Sequence, residues 1–333
     1  MQVHRPLGDG GHGSVWTMIA DNRKRAQQGR VIKTFHTNSC LDWEVIGNQF
    51  VIECFQADPH MLRKHTCLLV DESVIPINVC DKDGKAVKGL VYRRVNGVTF
   101  DGSRPKAQRA CFGNQDGFLQ WSISLAHVLD AMHEGGVLHN DVKPHNIMDE
   151  DHHPVLIDFG ITVQLTPDMD IRKENTTELY MDPQSLCWRK ARRRKSAINP
   201  EDTYRLLKRS WRGFPWAYLD EVARTSFNAA SYTLYVAEAL NDNVDRIPAP
   251  RTRDIFGYGM SLLEVSFTTY GYFVAEIKPL VTACLRVGPN AHTCFSDVLS
   301  ACGLNNRHAP SPAPAPAPAP APASEGVQIF DSA

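Results

Sequence analysis

The sequence predicts an α+β fold of two lobes: a small β-rich N-terminal lobe over residues 1–95 and a larger, mainly helical lobe over 96–308. Three observations lead there. Short apolar segments flank a glycine cluster from Val3 to Phe35, and further strand-like runs follow at Val74 to Val79 and Lys88 to Val95. Between Asp116 and Glu134 the period changes, because Phe118, Trp121, Leu125, Val128 and Met132 recur at helical spacing before a Gly135-Gly136 stop. The 333 residues, 43% of them hydrophobic, are enough to build the core that two such lobes need.

The elements follow in order. Arg30 to Phe35 reads as the second arm of a strand, loop, strand opening. Residues 42 to 57 read as a helix that Gly47 weakens by roughly 1 kcal/mol relative to alanine, with Pro59 at its exit. Asn96-Gly97 is a turn suited to a hinge, and the first lobe ends there. After the 116–134 helix come Val137-Leu138, the polar stretch His139 to Asn146, and a strand Pro154 to Ile157 that runs into Asp158. Residues 185–253 read as an insertion with a basic run at 189–195 and several aromatic residues, among them Trp211 and Trp216. From Ala309 to Ala323 proline and alanine alternate, so 309–333 is expected to be an extended or disordered tether.

Composition narrows the function classes. Thirty-six basic and 37 acidic residues leave a net charge of −1, so any attraction to an acidic partner or nucleic acid must be local, with the 189–195 run the candidate. The nine cysteines are odd in number and form no C-x-x-C pair, which argues against a disulfide scaffold or structural zinc site. A reducing location, cytoplasm or nucleus, is the expectation. The opening MQVHRPLGDGG has no apolar signal core, and no stretch approaches the ~20 apolar residues of a membrane span, so no membrane association is expected.

Three groups of residues carry chemistry. Gly8, Gly10, Gly13 and Val15 form a G-x-G-x-x-G-x-V string between strands, where backbone N–H groups can approach phosphate oxygens. Alone it is equally an ordinary hairpin turn. Lys33, on the next strand, can point its ammonium at the α- and β-phosphates of a nucleotide, and such a lysine needs a carboxylate to hold it. Glu53 or Glu44 on the following helix meets that need, with Glu53 preferred. The strongest group is His139-Asn140-Asp141-Val142-Lys143-Pro144-His145-Asn146 followed by Asp158-Phe159-Gly160. Phosphoryl transfer is mostly positioning and charge neutralisation. Asp141 suits the orienting of an attacking hydroxyl, Asn146 and Asp158 suit metal ligation, and Lys143 suits the γ-phosphate. Each aspartate taken singly is more often a turn residue. Their conjunction reverses that reading.

Over about residues 4 to 304 the chain resembles the eukaryotic protein kinase superfamily, whose catalytic loop reads H-R-D-x-K-x-x-N and whose metal loop reads D-F-G. Thr177 to Gln184 is similar to the family's T-x-x-Y-M-A-P-E segment, and Asp254 to Gly259 to its D-x-W-S-x-G helix. The resemblance implies ATP with Mg²⁺ or Mn²⁺, a gatekeeper at Tyr92, and backbone groups of Arg93 and Val95 facing adenine. Lys143 with Thr177 is the serine/threonine pattern, so the implied partners are protein substrates with serine or threonine hydroxyls. The competing readings are a pseudokinase or scaffold binding module and a small-molecule kinase. The tail and the trimmed C-lobe also resemble proteins of large DNA viruses, which would place the protein in a host cell.

Two departures stand out. Asn140 occupies the place of the family's arginine, which in relatives reads a phosphate on the activation loop, so activity is expected not to need phosphate on Thr162, Thr166 or Thr176. Gln184 replaces the glutamate that pairs with a late arginine, and the chain after Asp254 is short, so the last helices are expected to be reduced or rearranged.

Overall fold

The computed structural model describes residues 3–9, 13–18, 29–66, 77–80, 86–100, 102–166, 177, 180–182, 185, 250–286 and 291–304. Strands β1 (Val3–Asp9), β2 (Gly13–Met18), β3 (Arg30–Phe35), β4 (Ile77–Cys80) and β5 (Ala86–Arg93) form an antiparallel sheet in the order β1-β2-β3-β5-β4. Helix α1 (Asn38–Cys54) follows β3 and is started by Thr37, whose hydroxyl accepts from the Cys40 backbone N–H. It begins and ends earlier than the 42–57 expected, because Thr37 is the capping residue. Strand β5 also stops at Arg93, short of Val95.

The register places candidate site residues on one sheet face. Val15 lies across from Lys33, Lys33 across from Leu90, and Val31 across from Tyr92. Directly opposed residues share a face, so these side chains meet on the side that α1 covers. The buried positions of α1, Leu41, Glu44, Gly47, Asn48 and Val51, recur at helical spacing and form its inward stripe. Gly47 is no weakness there. A Cβ on it would stand 1.8 Å from the Phe159 carbonyl oxygen, so only glycine lets α1 approach that segment.

The second lobe is assembled around α4 (Gln115–Glu134), started by Asn114, whose side chain accepts from the Gly117 N–H. The expected apolar stripe of α4 is buried throughout, with Trp121 edge-on to Phe100 and Phe118 tilted against Phe112. Helix α2 (Pro59–His65), strand β6 (Val98–Thr99) and helix α3 (Pro105–Phe112) precede it; β7 (Val137–Leu138), β8 (Ile147–Glu150), β9 (His153–Leu156) and β10 (Val163–Gln164) follow. Strands β6, β8 and β9 pair antiparallel, as do β7 and β10.

Helix α5 (Thr252–Tyr270) is buried along nearly its whole length, its apolar residues packed into the core and its buried polar residues at the N-terminal end facing the loop before β8. Helices α6 (Lys278–Cys284) and α7 (Phe295–Ala301) complete one core with α4 and α5, through Leu280, Phe295 and Leu299. Among the described residues no helix is long and apolar enough to cross a membrane. The basic run 189–195, nearly all of the insertion 185–253, Gln184 and the 309–333 tail lie outside the described residues.

Candidate active site

The loop between β7 and β8 is held from beneath by one carboxylate. Asp254, in the first turn of α5, accepts the backbone N–H of His139 at 2.8 Å and of Asn140 at 2.7 Å, and faces His133 Nε2 at 3.0 Å. It is fully buried, and burial alone would raise its pKa. The His133 contact, the nearby His139 ring and the Asn140 N–H together outweigh burial and hold the carboxyl below the ordinary aspartate range. The loop backbone is thus fixed through its amides, independent of the loop's own side-chain rotamers. His139 adds a second tie, since its ring faces the Ile157 carbonyl at 3.2 Å and packs on Phe159 with centroids 5.3 Å apart.

Asn140 and Asp158 both have left-handed backbones, φ 65° and 64°. Asparagine and aspartate adopt that conformation more readily than other non-glycine residues, so Asn140 lowers a cost that the usual arginine would incur. Its side chain is engaged as well: the amide donates to the Ile161 carbonyl at 3.1 Å and accepts from Arg253 at 3.1 Å. Arg253 also donates to the Ser185 hydroxyl at 3.1 Å, while the Ser185 N–H is held by Asp182 at 2.9 Å. A guanidinium therefore returns to the neighbourhood of residue 140, supplied by α5 instead of the loop.

Asp141 is surrounded by donors. Its Oδ2 accepts from Lys143 Nζ at 2.6 Å and Asn146 Nδ2 at 2.9 Å, and its Oδ1 accepts from the Thr177 hydroxyl at 3.0 Å. Lys143 reaches Thr177 as well, at 3.1 Å. Asn146 commits its amide nitrogen to Asp141, which leaves its carbonyl oxygen as the end free to meet a cation.

Across from this group Lys33 Nζ lies 2.7 Å from Glu44 Oε2 and 2.6 Å from Asp158 Oδ1. Burial alone would lower the lysine's pKa, but the two carboxylates overcome it and leave the ammonium firmly charged. Burial likewise pushes Asp158 up, and Lys33 more than reverses this, to about 2. The preferred carboxylate was wrong: Glu53 is exposed and accepts from Gln49 at 2.8 Å, one turn back on its own helix. The helical phase carried the signal, because Glu44 falls on the stripe of Leu41, Asn48 and Val51 and Glu53 falls off it.

Gly8 lies near the end of β1 opposite Val15, Gly13 opens β2 opposite Phe35, and Gly10 lies outside the described residues. Val31, Leu90 and Tyr92, with Val15, Val95, Met148 and Ile157 packed on them, make an apolar wall bridging the two lobes. The hinge is tied down by Glu150, which pairs with the Arg93 guanidinium and accepts the Asn96 N–H at 2.7 Å. Thr162 is buried with its hydroxyl toward the His139 carbonyl, so it is no accessible phosphorylation site; Thr166 is exposed and Thr176 lies outside the described residues. Sequence reasoning missed His133 and Arg253 altogether. Neither belongs to a motif, and only the buried carboxylate of Asp254 and the amide of Asn140 give them a place.

Comparison with known proteins agrees with this geometry. Residues 1–202 match the protein kinase domain family. The serine/threonine-protein kinase F of Synechocystis sp. is 23% identical over 274 residues, 78% of this chain and 53% of that protein. The serine/threonine-protein kinase Nek11 of Macaca fascicularis is 23% identical over 188 residues, 55% of this chain and 27% of its own length. A shorter stretch of 62 residues is 42% identical to mitogen-activated protein kinase kinase kinase 8 of Rattus norvegicus, covering 18% of this chain and 13% of that protein. The chain thus spans about half or less of these relatives. With more than half of its length matched, and with the loop, lysine and D-F-G residues brought to one cleft, the chain belongs to the protein kinase domain family.

Proposed function

We propose that the protein is an active serine/threonine protein kinase that transfers the γ-phosphoryl group of ATP to protein hydroxyls. The observation that carries this is the Asp141 carboxylate held by Lys143 and Asn146 and bonded to Thr177, opposite the Lys33–Asp158 pair. Asp141 accepts the hydrogen bond of the attacking hydroxyl, aims the oxygen at phosphorus and takes its proton as the bond to the ADP oxygen breaks. Lys143 offsets charge on the transferring group, and Lys33 holds the α- and β-phosphates.

The donor set fits a divalent metal. Asp158 keeps a carboxylate oxygen beyond its bond to Lys33, Asn146 keeps its carbonyl oxygen, and hard oxygen donors of this number suit Mg²⁺, with Mn²⁺ an alternative. When bound, the metal supplies neutralisation of phosphate charge. Arg93 and Val95 are proposed to face adenine through their backbone. A pseudokinase reading finds no missing group here, and the link from Lys143 to Thr177 favours protein over small-molecule acceptors.

The test is incubation with labelled ATP, Mg²⁺ and mixed protein acceptors, wild type against Asp141→Asn. Transfer should appear on serine and threonine and fall by about 10²- to 10⁴-fold in the variant. Equal labelling by both proteins, or label on tyrosine alone, would overturn the reading.

A further inference from the structure

Glu44 has a second buried donor besides Lys33. The Tyr92 hydroxyl donates to Glu44 Oε1 at 2.8 Å while Lys33 occupies Oε2 at 2.7 Å, so each carboxylate oxygen has its own partner. Tyr92 lies on β5 two residues from Leu90, which is paired with Lys33, and its ring is buried in the wall between the lobes. Asn48, one turn after Glu44, donates to the same hydroxyl at 3.3 Å and to the Glu44 carbonyl at 2.8 Å. It is wholly buried, and its carbonyl oxygen has no partner among the described residues. An unpaired buried oxygen is a cost. An apolar residue at 48 would avoid it, so the amide is there for what its nitrogen does.

Together these contacts join β3, β5 and α1 around one carboxylate. A single Lys33–Glu44 pair is a pivot about which α1 can swing or slide. Adding the phenol makes a two-point attachment from neighbouring strands, which fixes both the rotation of α1 and its depth. The groups facing Glu44 are Lys33, Tyr92 and Asp158. Burial, with Asp158 beside it, leaves the carboxyl pKa above the ordinary glutamate range, while Lys33 and Tyr92 act against that, as expected of donors to the ionised form.

We infer that the Tyr92 hydroxyl, braced by Asn48, is a positioning group that locks α1 inward through Glu44 and so keeps Lys33 aligned. This rests on the phosphotransfer reading. Tyr92 touches no reacting atom in this role; it acts through Glu44, and a bulky ring alone would fill the wall without doing so.

Tyr92→Phe keeps the ring and removes the hydroxyl. A lost hydrogen bond to a charged group is expected to lower kcat about tenfold with KM for ATP changed less than about twofold. In a Glu44→Ala background Tyr92→Phe should add nothing, since both oxygens of its target are gone. Amide hydrogen exchange should rise about tenfold across α1 and stay unchanged in α4. Wild-type kcat in Tyr92→Phe, additive losses in the double variant, or unchanged exchange across α1 would each overturn the inference. The exchange measurement decides it even for a protein that transfers no phosphate, an outcome that would sink the phosphotransfer reading separately.

Discussion

The two sides of the cleft are held by different kinds of contact. On the lower side Asp254 grips the 139–146 loop by its backbone N–H groups, and those bonds persist whatever the side chains of His139 and Asn140 do. On the upper side Lys33, Glu44, Tyr92 and Asn48 meet by side chain, each with its own rotamers and each carried on a separate element. Backbone capture suits a loop that must stay fixed. Side-chain capture suits a helix whose position can be set or released, because a change of one rotamer breaks it. The charged ammonium of Lys33 belongs to both sides, since it also holds Asp158.

The comparison can be broken at several points. Asp141→Asn should have the largest effect, a fall of about 10²- to 10⁴-fold in phosphotransfer with little change in unfolding midpoint. Asp254→Ala strips a buried acceptor from two N–H groups and from His133, and should cost about 3–5 kcal/mol in chemical denaturation. A cost near zero would show that the lower side is not held as described. Glu44→Gln should lower kcat by at least about tenfold, whereas Glu53→Gln should stay within about twofold of wild type. The reverse order would restore Glu53 as the partner of Lys33.

A fourth prediction concerns pH. The Asp254 carboxyl sits below its unfolded value, so its contribution to stability is fully present above the unfolded pKa of about 3.9 and is lost as pH falls through the lower folded value. Denaturation midpoints measured below about pH 5 should therefore fall more steeply for wild type than for Asp254→Asn. The smallest effect is expected at Arg253, where Arg253→Gln should cost roughly 1–3 kcal/mol by freeing Asn140 and Ser185. With Arg253 engaged by Asn140 and Ser185, alanine at both Thr166 and Thr176 should leave the rate within about twofold; a sharp loss in a kinase assay would show that loop phosphate is needed.

Much of the site was legible because its chemistry is local in sequence. The segments 139–146 and 158–160 place acid, cation and amide within a few residues, and a short hairpin, β8 to β9, is all that joins them. Strand positions around Lys33 were legible for the same reason, and α4 was set by its stripe and by Asn114. The Glu44 assignment was within reach of helical phase, yet a carboxylate list without phase favours Glu53 equally. Gly47 shows the opposite failure: propensity marks it as a defect, and the Phe159 carbonyl makes it a requirement.

The sequence by itself determined the two-lobed α+β plan and picked out the candidate groups that meet in the site, since periodicity and short motifs are written within tens of residues. Only the tertiary structure decided which carboxylate meets Lys33, why asparagine suits position 140, and that Arg253 bridges it to Ser185. Those contacts join residues far apart along the chain, Asn140 to Arg253 and Glu44 to Tyr92 among them. Nothing in local propensity encodes such pairs. They exist because packing α1 on the sheet and α5 under the loop buries polar atoms that must then find one another.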